Sequence, residues 1–185
     1  MENLTKEILS YLKNEHTKVQ LKEDFKGNYY SYLVDTIYIS QNLEDKMTSP
    51  KNKEFNKKAA QLIVICHECI HSVQSRYMHI LNMILSNLSI ILTTLCAFWG
   101  ILWTSPLWIK TLTIITLILS IIIRLILETQ AVKGSTKLAL KFISNGITDK
   151  DIQDGVDFIE QYKYIEFFRM IIDKIVCLIL VLVIK

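Results

Sequence analysis

The sequence predicts an α+β fold that is mainly α-helical and membrane-embedded: a small helix-and-strand segment joined to a transmembrane hairpin and a third C-terminal span. Two observations predict this class. Charged residues of both signs are dense as far as Arg76, whereas residues 77–109 contain no Asp, Glu, Lys or Arg. Within the charged part, short runs typical of strands lie beside a helical pattern.

Composition excludes several other classes of protein. The 185 residues are 51% hydrophobic, with five Gly and two Pro, so a collagen-like, low-complexity or disordered chain is ruled out. The net charge of +3 does not indicate nucleic-acid binding. The first residues lack the basic start and the continuous apolar stretch of a signal peptide, so we expect the N-terminal segment to stay unexported.

The N-terminal segment, residues 1–78, is predicted to contain two helices and three strands. Apolar spacing predicts a first helix over Leu4–Asn14, and a nearly all-apolar helix is expected from Phe55 to Gln74. The polar residues 41–56 between them are expected to form a loop. The β-prone runs are Val19–Leu21, Tyr29–Val34 and Ile37–Ile39, with Asp35-Thr36 as the turn between the last two.

Residues 79–127 are predicted to form a transmembrane hairpin. The uncharged stretch Ile80–Trp103 exceeds the roughly 20 residues that a spanning helix needs. A second run, Leu107–Leu127, is interrupted only by Lys110 and Arg124 near its ends, where long side chains can reach the interface. A proline-containing turn at residues 104–106, flanked by tryptophans, is typical of a hairpin tip. A buried hairpin of a soluble protein is the alternative.

The C-terminal part is predicted to hold a helical segment over residues 128–166 and a third span over residues 167–185. Asn145-Gly146 is expected to end one helix and Thr148 to cap the next. The last apolar run reaches full length only if charged residues are included, among them Arg169 and Asp173, which are four apart and could pair on a helix. An amphipathic helix docked on the rest of the chain is the alternative.

The apolar helix contains the pattern HExxH, formed by His67, Glu68 and His71. Four residues advance an α-helix by about 400°, so both imidazoles lie on one face. This spacing lets two neutral histidines bind one Zn²⁺ while the glutamate acts as general base. In the alternative, these side chains are satisfied by hydrogen bonds within a buried helix, which would be costly without partners.

Glu128 is the best candidate for a third zinc ligand. A catalytic zinc commonly takes three protein ligands, and Glu128 is the first acidic residue after the hairpin. An antiparallel hairpin returns it to the membrane face from which His71 departs. Because the first helical path is longer, the chain must break between His71 and the first span, and we expect the break near residues 77–82. An interfacial acid paired with Arg124 is the alternative for Glu128.

Cys66 and Cys69 form a C-x-x-C pattern around the motif. A structural zinc site would need two further ligands that no other Cys or Cys-His pair is spaced to provide, and a redox site lacks its usual βαβ context. We therefore interpret both cysteines as packing residues.

The chain resembles the YugP-type membrane zinc metallopeptidases, a gluzincin-like family. That family's core helix reads HExGHAxQ, and residues 67–74 read HECIHSVQ. Its spans are followed by ExDA, and residues 128–131 read ETQA, with a further helix after them. A small helix and strands precede the motif in both. The resemblance spans nearly the whole chain, although only about a dozen positions are specific.

The resemblance implies a zincin-like N-terminal segment, with one Zn²⁺ at His67, His71 and Glu128 and Glu68 as catalytic base. Gln74, Gln130 and Arg124 are the candidates for side chains that touch this site from outside. Two departures stand out: Ile70 replaces the family's Gly and is expected to crowd a neighbouring element, and Gln130 replaces its Asp. Losing a carboxylate that orients a ligand can weaken affinity or activity by about 10- to 100-fold.

Together these features predict a membrane-bound zinc metalloendopeptidase acting on peptides or membrane-protein substrates. An exposed strand edge beside the site would bind peptide in extended form. Nearly all Lys and Arg lie on the side of the motif, which predicts a multi-pass protein of a bacterial cell membrane with its active site on the cytoplasmic face. The alternative is a catalytically inactive relative that serves as a binding or scaffold element.

Overall fold

The structure, a computed structural model, describes residues 1–22, 28–40, 57–102, 106–142 and 148–183. These residues form a mainly helical protein with one small sheet, so the α+β class is as predicted. The elements in chain order are α1 (Glu2–Tyr11), β1 (Lys18–Lys22), β2 (Tyr29–Ser31), β3 (Thr36–Ser40), α2 (Lys57–Val73), α3 (Arg76–Leu102), α4 (Leu107–Ala139) and α5 (Asp149–Val183).

The chain divides into two compact units. The first, here called the site unit, consists of Met1–Ser75 and Glu128–Lys163. The second, here called the helical unit, consists of Arg76–Leu127 and Tyr164–Lys185. Helices α4 and α5 each contribute residues to both units.

The sheet of the site unit has the order β1-β3-β2. Central strand β3 pairs in parallel with β1 and antiparallel with β2, where Tyr30 lies opposite Ile37. Ile37 and Ile39 of β3 are fully buried. Strand β2 is therefore a short edge strand, held by a hairpin to the best-buried strand.

Helix α2 lies at the centre of the site unit's core. Its apolar residues are buried together with residues from α1, β3, the end of α4 and the start of α5. Ile63 packs directly against Gly155 of α5, and a Cβ at that position would lie 2.5 Å from Ile63 Cδ1, so the isoleucine side chain would have to move. The members of this core include Ile8, Leu9, Ile63, Cys66, Cys69, Val132, Leu138 and Ile152.

Several predicted boundaries shift in the structure. The hairpin turn covers Tyr32–Asp35, so Leu33 and Val34 are turn residues, and Asp35 has a positive φ of 46° that Asp tolerates better than most residues. The chain does break after His71, but at Gln74-Ser75, before the expected residues 77–82. The predicted loop at residues 41–56 and the helix end at Asn145-Gly146 lie outside the described residues.

Thr148 caps helix α5 as predicted. The Asp151 amide donates to Thr148 Oγ1 at 3.2 Å, and the Thr148 amide donates to Asp151 Oδ2 at 2.7 Å. This reciprocal pair satisfies two backbone donors near the helix start. From there α5 continues without interruption to Val183. The predicted boundary between the helical segment 128–166 and the third span 167–185 therefore falls inside one helix. A change from polar to apolar residues along the chain does not by itself start a new helix.

Among the described residues, α3 and α4 are long and apolar enough to cross a membrane, and α5 does not meet that criterion. Only 22% and 33% of the most apolar 18-residue stretches of α3 and α4 are buried. Large apolar side chains on these helices are exposed, including Ile84, Ile91, Phe98, Trp108, Ile118 and Ile122. A core helix of a soluble protein would have most of that surface covered.

The interior of the helical unit contains small polar residues beside apolar ones such as Leu92 and Ile109. Ser89, Thr113 and Ser120 are at most 2% exposed, and each hydroxyl donates to a carbonyl of its own helix. Lys174 Nζ of α5 donates to Ser89 Oγ at 3.1 Å. Small polar residues inside and apolar residues outside are the distribution seen where helices pack within lipid.

Candidate metal centre

Helix α2 presents the two motif histidines on one face. Because the helix is continuous from Lys57 to Val73, residues 67 and 71 lie one turn apart, as the spacing predicts. Their Nε2 atoms are 3.0 Å from each other, and the rings meet edge to face at 87°. The two imidazole nitrogens thereby lie close enough together to bind the same ion.

Glu128 of α4 completes a triangle with these nitrogens. Its Oε2 lies 3.4 Å from His67 Nε2 and 3.7 Å from His71 Nε2. Tetrahedral bonds of about 2.0–2.1 Å from one Zn²⁺ would separate their ligand atoms by about 3.3–3.4 Å. The three atoms could therefore hold a metal ion, and their spacing and chemistry fit zinc.

The site is nearly closed to solvent. The side chains of His67, His71 and Glu128 are 13%, 10% and 12% exposed. Burial alone would lower the pKa of His71, but the Glu128 and Glu68 carboxylates outweigh it, so that pKa is raised. A pocket that favours extra positive charge despite being buried is suited to a cation.

Gln74 fixes the ring of His71 from the opposite side. Gln74 Oε1 lies 2.7 Å from His71 Nδ1, so His71 donates from Nδ1 and keeps its Nε2 lone pair for a ligand. Gln74 Nε2 in turn donates to Gln130 Oε1 at 3.4 Å. Two of the residues predicted to touch the site from outside thus form a chain of neutral amides behind one ligand.

The surroundings of His67 and Arg124 differ from those of His71. His67 Nδ1 is buried and has no hydrogen-bond partner among the residues that the structure describes. Arg124 is exposed on α4, four residues before Glu128, in the portion of that helix that belongs to the helical unit.

Glu68 lies on the same helix between the two histidines and is 9% exposed. Its Oε2 accepts a hydrogen bond of 2.7 Å from the backbone amide of Tyr30 in β2. Burial raises the pKa of Glu68, and the neighbouring histidines and the Tyr30 amide only partly oppose this. The carboxylate is thus held by the edge strand beside the candidate ligands.

Ile70 is accommodated by a glycine. A Cβ built on Gly134 of α4 would lie 3.0 Å from Ile70 Cγ1 and Cδ1. The isoleucine therefore occupies the space that a larger side chain at position 134 would need. The crowding expected from Ile70 is therefore relieved by the facing helix. Sequence reasoning missed Gly134, although a lone Gly inside a helical run is a signal of close packing.

Cys66 and Cys69 are free thiols, fully buried in the core behind the motif. Burial raises the pKa of Cys66 to about 12 and raises the pKa of Cys69 as well. Because the thiolate is the reactive form, both cysteines behave as packing residues.

The site therefore rests on one helix, one edge strand and the part of α4 that begins at Glu128, all within one compact unit. When the chain is compared with protein-family models, with curated proteins and with solved structures, nothing matches.

Proposed function

We propose that this protein is a membrane-bound, zinc-dependent metalloendopeptidase of the gluzincin-like type. The observation that carries the proposal is the triangle of His67, His71 and Glu128, with sides of 3.0, 3.4 and 3.7 Å, on a helix that also carries Glu68. Two imidazoles, one carboxylate and an adjacent buried glutamate are the set of groups that zinc-dependent peptide hydrolysis uses.

Zinc bound at these three residues would lower the pKa of a bound water and polarise the scissile carbonyl. Glu68 takes a proton from the attacking water and passes it to the leaving amine. One carboxylate oxygen, Oε2, is held by the Tyr30 amide. The other, Oε1, has no hydrogen-bond donor among the described residues, so it is the oxygen that accepts the proton.

The substrate of this site is a peptide or a segment of a membrane protein. The outward amide of Tyr30 already donates to Glu68, so it is not available to a substrate backbone at that position. An extended peptide that pairs with β2 must therefore use backbone groups other than the Tyr30 amide.

The membrane location is supported by the surface of the helical unit. It exposes many large apolar side chains and buries several small polar ones, whereas a water-soluble domain covers most of its large apolar side chains. Helix α3, with 27 residues, is about 40 Å long, enough for a hydrocarbon core of about 30 Å. We propose a multi-pass protein of a bacterial cell membrane, with α5 supplying the third span and the active site on the cytoplasmic face.

One observation favours a second function, a catalytically inactive zinc protein that binds or scaffolds a partner. His71 is hydrogen-bonded to the neutral amide of Gln74, which is bonded in turn to the amide of Gln130. A carboxylate in the place of Gln74 would make the imidazole a stronger ligand and orient it. Such a site would retain its metal while hydrolysis is weak.

The test compares the wild type with Glu68→Gln, using full-length protein purified in micelles. Zinc content and cleavage of a mixed peptide library are measured for both, with the exposed Glu7→Gln as matched control. We expect both variants to keep their zinc. Cleavage should fall about 100- to 10,000-fold only in Glu68→Gln, because the general base is lost.

Two results would decide against the peptidase. Equal cleavage by wild type and Glu68→Gln would mean that another protein or another residue is responsible. Bound zinc without any cleavage by the wild type would support the inactive alternative.

A further inference from the structure

We infer that Asp35 is a positioning residue for Glu68 and acts through Tyr30. The inference rests on the proposed function, because it concerns how the proposed base is held. The direct contact is the 2.7 Å hydrogen bond from the Tyr30 amide to Glu68 Oε2. Since Glu68 depends on a backbone group, whatever fixes the backbone at Tyr30 also fixes the carboxylate.

Strand β2 is too short to be fixed by its pairing alone. It is three residues long and lies at the edge of the sheet, paired on one side with β3. At its start, the Ser40 amide donates to Asn28 Oδ1 at 2.8 Å. At its middle residue, the Tyr30 hydroxyl donates to Asp35 Oδ1 at 3.0 Å. One side-chain bond therefore holds the chain just before the strand, and the other holds Tyr30 itself, whose amide donates to Glu68.

Asp35 is itself firmly held. The same Oδ1 accepts a hydrogen bond of 2.8 Å from Thr17 Oγ1, and its backbone oxygen accepts one of 2.9 Å from the Lys18 amide. These contacts link the beginning of β1 to the residue just before β3. Through Tyr30 the link extends to β2, so Asp35 joins all three strands at one end of the sheet.

His16 adds little to this arrangement. Its Nε2 lies 3.4 Å from Asp35 Oδ2, but its side chain is 74% exposed, and an ion pair so open to water contributes little. The path that matters runs from Asp35 through the tyrosine hydroxyl and the strand to Glu68. Its loss frees the carboxylate to rotate while the metal ligands stay in place.

The first measurement is independent of catalysis. The chain has 8 tyrosines, so isotope labelling of tyrosine gives few amide resonances, and Tyr30→Phe identifies the one from residue 30. An amide that donates to a carboxylate at 2.7 Å resonates downfield. We expect this resonance to move upfield in Glu68→Gln and, through the loosened strand, also in Asp35→Ala. An unchanged resonance in Asp35→Ala would overturn the inference, even if the protein proved to have no peptidase activity.

The second measurement uses kinetics. Tyr30→Phe and Asp35→Ala should each lower kcat about 10- to 100-fold, as expected when a reacting group is misplaced, while KM and zinc content remain as in the wild type. Because both changes break the same bond, the double variant should be no slower than the slower single variant.

The matched control is Tyr38→Phe, which removes a tyrosine hydroxyl from the neighbouring strand, where the ring stacks on Tyr29 at 4.8 Å. It should leave kcat unchanged. If the effects on kcat multiply in the double variant, the two residues do not act through one bond and the inference is overturned. It is also overturned if the single variants lose zinc, melt at a lower temperature and have a higher KM, because these changes would show a general role in the sheet. If Asp35→Ala does not fold, Tyr30→Phe alone provides the kcat comparison. No detectable cleavage by the wild type would instead count against the proposed function.

Discussion

Gln74 occupies the first position after helix α2 ends, and this position lets its side chain turn back onto His71. The 2.7 Å contact between Gln74 Oε1 and His71 Nδ1 selects the tautomer in which Nε2 is free to bind a metal. Gln74 would therefore affect a bound metal through His71.

We expect Gln74→Ala to weaken zinc binding by about 10- to 100-fold, because the orienting partner of one ligand is lost. Competition with a chelating dye measures this affinity. Gln130→Ala is the control. The Gln130 amide is exposed and reaches His71 only through Gln74, so this change should weaken zinc binding less. An equal loss in both variants, or none in Gln74→Ala, would contradict the role assigned to Gln74.

At the residue scale, the sequence was sufficient to predict which side chains lie together in the candidate site. His67, Glu68 and His71 follow from helical spacing, and Glu128 from its place after the hairpin. Tyr30 did not follow, because it acts through a backbone amide that every residue except proline possesses. Its importance depends on which strand lies at the sheet edge, and that order was not predictable from the strand sequences.

At the scale of elements, the contact between α2 and α4 depends on a pair of residues of opposite size. Ile70 projects from α2 into the space left by Gly134, where a Cβ would lie 3.0 Å from it. A glycine inside a helix costs about 1 kcal/mol relative to alanine. This cost is offset if close approach of the helices brings Glu128 up to the histidines.

We expect Gly134→Leu to lower the free energy of unfolding by about 1–3 kcal/mol, because the core would be overpacked against Ile70. Chemical denaturation of the purified protein measures it. The matched variant Gly134→Leu with Ile70→Ala should recover part of the loss, since the space removed on one helix is returned by the other. If the second change adds a further loss of its own, the two side chains do not share this space.

The elements themselves were predicted more closely than their ends. Helix α1, the three strands, the motif helix and both long apolar helices lie where composition and periodicity put them. The break at Gln74-Ser75 and the continuity of α5 through residue 166 were not predictable. The start of α5 was predictable because Thr148 is a capping residue type, whereas neither at the break nor near residue 166 does a helix end coincide with a change in hydrophobicity.

At the scale of the whole molecule, the helical unit carries the membrane assignment. Lys174 of α5 donates a hydrogen bond of 3.1 Å to Ser89 Oγ. Ser89 is the middle residue of α3. A charged side chain at the centre of a bilayer costs about 2.5–3.5 kcal/mol on insertion scales. If this part of α5 faced water instead of lipid, replacing Lys174 by an apolar residue would change the stability of the protein little.

Lys174→Met should therefore raise the melting temperature of the protein in lipid bilayers, because the cost of placing a charge at membrane depth is removed. Lys137→Met, at an exposed position of α4 in the site unit, is the control and should leave it nearly unchanged. A lower melting temperature in Lys174→Met would count against placing this part of α5 at mid-membrane.

The central claim is that His67, His71 and Glu128 bind one zinc ion. The most direct measurement is the zinc content of full-length protein, loaded with zinc and then dialysed, for the wild type and for His71→Ala, Glu128→Ala and the exposed His16→Ala. We predict about one zinc per chain in the wild type and in His16→Ala, and near none in the other two. A wild type that retains no zinc, or a Glu128→Ala variant that retains it as firmly as the wild type, would contradict the account.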